Sequence, residues 1–340
     1  MKKHHFINWK YSLGLMLELN ISSQKETIEQ QGFTHLAEHI LFYGNKEKDY
    51  AKFSEEKYRL FGNLEAITNP NSVRIYAQFN IKDIVSVKEF LSDMVYHSDL
   101  KEKDFDLLSK EIYEEIRENK DNPSFYHKNR IQKYIPKLHS LVGTWQQGEL
   151  TYQICREAQQ YWNESIKQSS IQSYFIGNWQ DDWKKDFQNI FQQKETIPTN
   201  KKSEIKIIKT SSKELIYEYS LNYTIKQDIF LFWLEEVSYK NNMECLILDR
   251  ENKEYFSIIS DCDINLNLFS YKNFTNDFNY IKKIYLSDLG MDIDVINYKS
   301  TFKRIYLYNK FIDIADDTLE NVYEKINLLR VADFEYLFDI

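Results

Sequence analysis

Two histidines four residues apart constrain this chain more than any other feature of its sequence. They fall within residues 33–42 (FTHLAEHILF), where apolar residues recur at the spacing of an amphipathic helix. On such a helix His35 and His39 lie one above the other, so both imidazoles can bind a single metal ion. Packing alone explains the pair poorly, because burying several polar side chains together is costly. The segment therefore predicts a helix that carries a metal site.

Glu38 directly precedes the second histidine and completes the pattern His-x-x-Glu-His. Zinc enzymes with this inverted pattern use the glutamate as the base that activates water, and not as a metal ligand. A catalytic zinc ion needs three protein ligands and one open position, so one more ligand must come from elsewhere. A helix predicted over residues 102–119 offers glutamates for this role, and spacing alone does not choose among them. The candidates are Glu111, Glu114, Glu115 and Glu118.

Strand and helix patterns alternate through the first part of the chain. Apolar residues alternate at positions 9–21 and 73–79, and residues 62–68 and 170–177 are also predicted to be strands. Helices are predicted over residues 47–61, 82–98, 102–119, 149–165 and 180–192. These elements predict an α+β fold, with a mixed sheet packed with helices in the first domain.

The length of 340 residues exceeds the usual size of one hydrophobic core, so we expect two domains. A polar run with one proline, residues 193–203, is the best linker candidate. We place a metal-binding domain at residues 1–200 and a shortened second domain at 204–340. The second domain begins with strand patterns at 204–209 and 214–223 and ends with a helix around 317–329. All seven histidines lie at or before His139, so any histidine-based site belongs to the first domain.

Composition narrows the class of protein and its compartment. A net charge of −8 without clustered lysine and arginine argues against nucleic-acid binding. Three widely spaced cysteines predict no disulfide framework, which favours a reducing compartment. No segment approaches the roughly 20 apolar residues that a membrane helix needs, and the first residues lack a signal peptide's apolar core. We therefore expect a cytoplasmic protein without membrane insertion.

Residues 32–44 (GFTHLAEHILFYG) resemble a conserved segment of the pitrilysin/insulinase family of metallopeptidases, which includes the mitochondrial processing peptidases. Downstream, residues 114–116 (EEI) and 121–123 (DNP) are similar to a second family segment. There the second glutamate is the third zinc ligand, which singles out Glu115, 76 residues beyond His39. The resemblance implies a two-domain fold of the processing-peptidase type and a Zn²⁺ ion held by His35, His39 and Glu115.

The same resemblance implies where substrate binds. Residues 62–68 (GNLEAIT) resemble the edge strand on which family members bind an extended peptide, with a glutamate in place of the usual asparagine. The implied substrate-binding residues are Gly62, Glu65, Ala66 and Thr68.

Three further positions follow from the family pattern. Arg250 and Tyr255 are similar to an arginine and tyrosine pair that holds the substrate backbone near the metal, although their spacing is one residue short. Leu108 stands where the family has a glutamate that supports the metal ligands. The resemblance therefore implies a catalytic set of Glu38, Arg250 and Tyr255, with weaker tuning of the metal than is usual.

These observations predict a zinc metalloendopeptidase that hydrolyses short peptides or a leader or propeptide. It is expected to act as a homodimer or as a heterodimer with a paralogous peptidase subunit. The alternative is a weak or inactive peptide-binding subunit that supports such a partner. A lyase of the S-ribosylhomocysteine type also carries His-x-x-Glu-His, but it is a short single domain with a catalytic cysteine, and no cysteine precedes Cys155 here.

Overall fold

The computed structural model describes residues 12–69, 72–121, 145, 148–176, 179–191, 206–210, 213–220, 224–250, 253–260, 262–294 and 325–338. Within these ranges the chain forms two compact units. The first contains the described residues up to 191, and the second contains those from 206 onward. The predicted boundary near residue 200 lies outside the described residues and stays a prediction.

The first unit is built on a four-stranded sheet. Its strands are β1 (Ser12–Leu19), β2 (Phe61–Thr68), β3 (Val73–Asn80) and β4 (Ile171–Ile176). The strand order is β2-β3-β1-β4, and all three neighbouring pairs are antiparallel. Among the described strands, β2 therefore has one neighbour and forms an edge of the sheet.

The α+β fold class is confirmed, but the sheet predicted as mixed has only antiparallel pairings in the part that the structure describes. The reason lies in the connection from β1 to β2. Two helices carry the chain to the sheet edge, where β2 runs in the same direction as β1 without touching it. A short turn then returns β3 into the space between them, so each neighbour runs in the opposite direction.

Most helices of the first unit pack on the sheet face to which the leucines of β1 point. Leu13, Leu15, Leu17 and Leu19 are each at most 1% exposed, as their alternation predicts. The helices are α1 (Phe33–Ile40), α2 (Tyr50–Leu60), α3 (Ile84–His97), α4 (Phe105–Asp121), α5 (Tyr152–Gln168) and α6 (Asp181–Ile190).

Helix α1 lies where two hydrophobic clusters meet. Ala37 and Leu41 pack in the cluster beneath the sheet. Leu36 and Ile40 pack in a second cluster, which includes the buried stripe of α4. Burial on two sides fixes the rotation of α1 about its axis, and that rotation decides where its polar side chains point.

The second unit has its own four-stranded antiparallel sheet in the order β5-β6-β8-β7. Its aromatic core includes Trp233, Phe256 and Phe274. The strands are β5 (Lys206–Thr210), β6 (Glu214–Ser220), β7 (Glu244–Arg250) and β8 (Lys253–Ile259). The helices are α7 (Ile225–Lys240) and α8 (Tyr271–Asp294), and a short 3-10 helix spans Val331–Leu337.

The predicted elements of the first unit match the observed ones within about three residues at each end. Most of the helix predicted around 317–329 lies outside the described residues. Within that range the structure describes residues 325–329, and residues 325–328 are helical. Among the helices that the structure describes, none combines the length and hydrophobicity that crossing a bilayer requires.

Candidate metal centre

The N-terminus of α1 is held by a buried carboxylate. Gly32 adopts a φ of 91°, a left-handed conformation that turns the chain into the helix. Glu26 accepts hydrogen bonds from the backbone N–H groups of Gly32 (2.8 Å) and Thr34 (2.6 Å). Burial raises the pKa of Glu26, although these hydrogen bonds favour its charged form. The start of the helix is thus fixed within one turn of the first histidine.

His35 and His39 converge on Glu115 of α4. The His35 Nε2 and His39 Nε2 atoms are 3.3 Å apart. The two carboxylate oxygens of Glu115 lie 3.3 Å from His35 Nε2 and 3.0 Å from His39 Nε2. Among the residues that the structure describes, these three form the group of donors able to hold a metal ion. The structure thus distinguishes Glu115 from the other glutamates of α4.

The donor set fits a zinc ion. A tetrahedral ion with ligands at about 2.0–2.1 Å separates its donors by roughly 3.3–3.4 Å. The three observed separations, 3.3, 3.3 and 3.0 Å, lie within a few tenths of an ångström of that value. When both facing ring nitrogens are unprotonated, they direct two lone pairs to one point, and a cation between them accepts both. The three side chains therefore fit a metal ion, although their assignment as ligands stays a prediction.

Acidic side chains around the two histidines shift the pKa of His39, and the histidines shift the pKa of Glu115. Burial alone would lower the pKa of His39, but hydrogen bonds with Glu111 and Glu115 and the charge of Glu38 outweigh it and raise the pKa to about 10. Burial would raise the pKa of Glu115, yet contacts with His35 and His39 hold it well below its usual range. The chain thus surrounds the histidines with negative charge, which favours a cation.

Glu38 lies beside the histidines and is fixed by the end of β2. Its side chain is buried, and its Oε2 atom accepts a hydrogen bond from the hydroxyl of Thr68 at 3.0 Å. Thr68 is predicted to bind substrate, and the structure gives it this additional contact. The carboxylate that would act as a base therefore has one oriented oxygen.

Sequence reasoning missed a second set of contacts, on the far side of His39. The Nδ1 atom of His39 lies 3.0 Å from Glu111 Oε1. The hydroxyl of Tyr43 donates to Glu111 Oε2 at 2.6 Å. Leu108, the position at which the family resemblance places a supporting glutamate, is instead fully buried in the core. The carboxylate beside His39 comes from the next turn of α4, and only the i,i+4 relation of Glu111 to Glu115 hinted at it.

The other predicted substrate-binding residues lie on β2. Gly62 is exposed at an irregularity in the β2–β3 register, between Phe61 and Asn63. The Glu65 carboxylate accepts a hydrogen bond from the Asn63 side chain at 2.8 Å, and Ala66 is partly buried. Their contact with a substrate stays a prediction.

Arg250 and Tyr255 lie in the second unit, on neighbouring strands. Arg250 ends β7 and pairs with Lys253 of β8. Tyr255 lies two residues farther along β8 and pairs with Leu248. Their predicted catalytic role stays a prediction.

Comparison with known sequences places this site in a family context. A sequence model of the insulinase family, peptidase family M16, matches residues 12–140. An uncharacterized zinc protease of Bacillus subtilis, YmxG, is 27% identical over 130 residues, which are 38% of this chain and 32% of that protein. An uncharacterized zinc protease of Rickettsia felis is 25% identical over 33% of this chain and 27% of that protein. The matches thus span about a third of these relatives or less.

Solved structures show that the fold likeness extends beyond the matched sequence. A protease from Helicobacter pylori superposes with a TM-score of 0.66 at 14% identity, over 100% of this chain and 96% of that one. The periplasmic protease PqqL of Escherichia coli gives a TM-score of 0.58 at 12% identity, over 96% of this chain and 43% of that one. Residues 12–140 thus resemble the insulinase family of peptidases, family M16, and the likeness in fold to solved proteases extends over the whole chain.

Proposed function

We propose that this protein is a zinc metalloendopeptidase that cleaves short peptides or a leader or propeptide. The observation that supports this most directly is the convergence of one donor atom each from His35, His39 and Glu115 within 4.8 Å. Glu38 lies on the same helix, buried and oriented by Thr68. The relatives named as zinc proteases support the same chemistry.

Each residue has a distinct task in the proposed reaction. His35, His39 and Glu115 would hold Zn²⁺, which when bound polarises the scissile carbonyl and makes a water molecule more acidic. Glu38 takes a proton from that water as its oxygen attacks the carbonyl carbon, and then gives the proton to the departing amide nitrogen. Thr68 keeps one Glu38 oxygen in place during both transfers. The peptide bond is thus hydrolysed without a covalent bond to the protein.

The edge strand β2 would align the substrate. An extended peptide can add to this strand through backbone hydrogen bonds, because β2 has one neighbour among the described strands, and it ends at Thr68, beside Glu38. This mode of binding depends on shape and side-chain pockets more than on one sequence. Gly62, Glu65 and Ala66 line the strand, and Arg250 and Tyr255 are proposed to hold the substrate backbone.

The test compares the wild type with Glu38→Gln and with the exposed control Glu55→Gln. We expect about one zinc ion per chain in all three proteins. Cleavage of a mixed peptide library should fall by about 10²- to 10⁴-fold in Glu38→Gln alone, because only that variant loses the base. Zinc is measured by elemental analysis and cleavage by mass spectrometry.

Other results of the same experiment would favour the alternative function or contradict the proposal. Zinc binding without cleavage by the wild type favours the peptide-binding subunit that supports a paralogous peptidase. Absence of zinc from the wild type after dialysis against the ion contradicts the proposal. Sedimentation of the purified protein tests the proposed homodimer, and a monomer points to the heterodimer with a paralogue.

A further inference from the structure

We propose that Glu111 and Tyr43 are positioning residues that fix the ring orientation and proton location of His39, and thereby set how tightly the site binds its metal. The proposal rests on the zinc site described under the proposed function. It concerns contacts that neither the sequence motif nor the family match assigns.

The first argument is the direction of the hydrogen bond to His39. An ionised carboxylate can only accept a hydrogen bond, so the contact of 3.0 Å with Glu111 Oε1 requires the proton to be on His39 Nδ1. In a neutral imidazole this leaves Nε2 unprotonated. Nε2 is the atom that faces His35 and Glu115. Glu111 thus selects the tautomer that can bind a metal.

The second argument is that Glu111 is itself held in place. Its other carboxylate oxygen accepts the hydroxyl proton of Tyr43 at 2.6 Å. Tyr43 is 2% exposed, and its ring packs against Tyr50 with the ring centroids 4.8 Å apart. A buried tyrosine has a fixed hydroxyl position, so Tyr43 restricts the rotation of a carboxylate that solvent would otherwise let move.

The third argument is the contrast with His35. Its Nδ1 atom is buried and has no hydrogen-bond partner among the described residues. The His35 ring therefore has polar contacts at Nε2 alone, whereas the His39 ring is held by polar contacts at both of its nitrogens. Loss of Glu111 should accordingly change one ligand and leave the other unaffected.

Glu111 also needs a control for stability. Its own side chain is 52% exposed, but its partners His39 and Tyr43 are largely buried, so its removal leaves a buried hydroxyl without its acceptor. Glu114 provides a matched control, because it lies on the same helix, is 54% exposed and has an ion-pair partner, Lys110, at 4.0 Å. Any effect found in Glu111 variants and absent from Glu114→Gln must come from the contacts of Glu111.

The experiment measures zinc dissociation constants by competition with a chelator. Glu111→Ala should weaken binding by about 10- to 100-fold, the usual effect of losing a hydrogen-bond partner of a ligand. Glu111→Gln should weaken it less, because the amide oxygen still accepts the His39 proton while the negative charge is lost. Tyr43→Phe should weaken binding several-fold in the wild type and should add nothing in the Glu111→Ala background.

Two readouts separate positioning from stability. The melting temperature of the metal-free Glu111→Ala variant should fall because Tyr43 loses its acceptor, and the double variant with Tyr43→Phe should recover that loss while its zinc affinity stays low. In zinc-loaded protein labelled with ¹⁵N-histidine, NMR should show His39 protonated at Nδ1 in the wild type, with a weakened signal in Glu111→Ala. Peptide cleavage should fall in kcat with KM unchanged, because no substrate contact is removed.

The outcomes are distinguishable from those of the proposed function. If the wild type binds no zinc, both proposals are wrong. If the wild type binds zinc and cleaves peptide, but Glu111→Ala has the affinity and the His39 signal of Glu114→Gln, only the positioning role is overturned. Equal additive losses for Tyr43→Phe in both backgrounds would show that Tyr43 acts independently of Glu111.

Discussion

The two compact units share a chain path but use it differently. In the first unit a central strand, β1, leads through α1 to the edge strand β2, and β3 returns between them. In the second unit β6 leads through α7 to the edge strand β7, and β8 returns between them. The fourth strand completes the far edge in both, as β4 and β5. Helices α1 and α7 thus occupy equivalent places in the two paths.

Helices α1 and α7 differ in the side chains that they bury. Helix α1 buries His35 and Glu38 among apolar neighbours, at 7% exposure each. Helix α7 buries apolar side chains around most of its circumference, including Trp233, and the described residues of the second unit, from 206 onward, contain no histidine. The same chain path thus supports either a buried polar site or a largely apolar core helix, according to which residues its first helix carries.

The largest effect is expected in the core of the second unit. Trp233 is fully buried, packs against Phe274 with the ring centroids 5.1 Å apart, and donates from Nε1 to Asp277. Trp233→Ala should lower the free energy of unfolding by about 3–5 kcal/mol, because it opens a cavity and leaves Asp277 without this donor. Denaturant unfolding measures the loss.

Zinc affinity provides the control for this substitution. The three donor side chains all belong to the first unit, so Trp233→Ala should leave the zinc dissociation constant within about twofold under native conditions. Trp233→Phe keeps most of the buried area and should lose less stability. A large fall in zinc affinity would contradict the expectation that the metal site depends on the first unit alone.

The next effect concerns metal binding in the first unit. His39→Ala should weaken zinc binding by roughly 10²- to 10³-fold, since each ligand contributes about a quarter of the 10–16 kcal/mol typical of four-ligand sites. His97→Ala is the matched control, because His97 ends α3 in the same unit and is exposed. Isothermal titration with zinc measures both. A full equivalent of tight zinc that survives in His39→Ala would place a metal site elsewhere in the chain.

Much of the first unit follows from sequence because its patterns are local. The alternating leucines of β1 define one buried face, and the helical spacing of residues 33–42 defines α1. The pairing of His35 with His39 is also local, since both lie on one helix face. Such features depend on residues within a few positions of each other.

Contacts between distant helices could not be predicted in the same way. Glu111 meets His39 across 72 residues and Tyr43 across 68, and this requires the packing of α1 against α4. Spacing along α4 gives four glutamates with similar patterns. The family resemblance singles out Glu115, but only three-dimensional packing identifies Glu111. The helix of the second unit that corresponds to α1 is also hard to recognise from the sequence. Helix α7 is apolar nearly all round and lacks the periodicity that marks an amphipathic helix.

The smallest expected effects come from the turns that follow the two equivalent helices. After α1, Gly44 has a φ of 114°, and a Cβ atom added there would lie 2.3 Å from the backbone oxygen of Lys48. After α7, Asn242 has a φ of 55°, a left-handed conformation that asparagine tolerates. Gly44→Ala should therefore destabilise the protein by at least about 1–3 kcal/mol, the cost of a strained backbone, while Asn242→Gly should change stability by less than about 1 kcal/mol. Thermal unfolding of the two variants measures the difference. Equal melting temperatures would mean that the Lys48 backbone moves aside for the added methyl group. The turn after α1 would then tolerate a side chain at position 44.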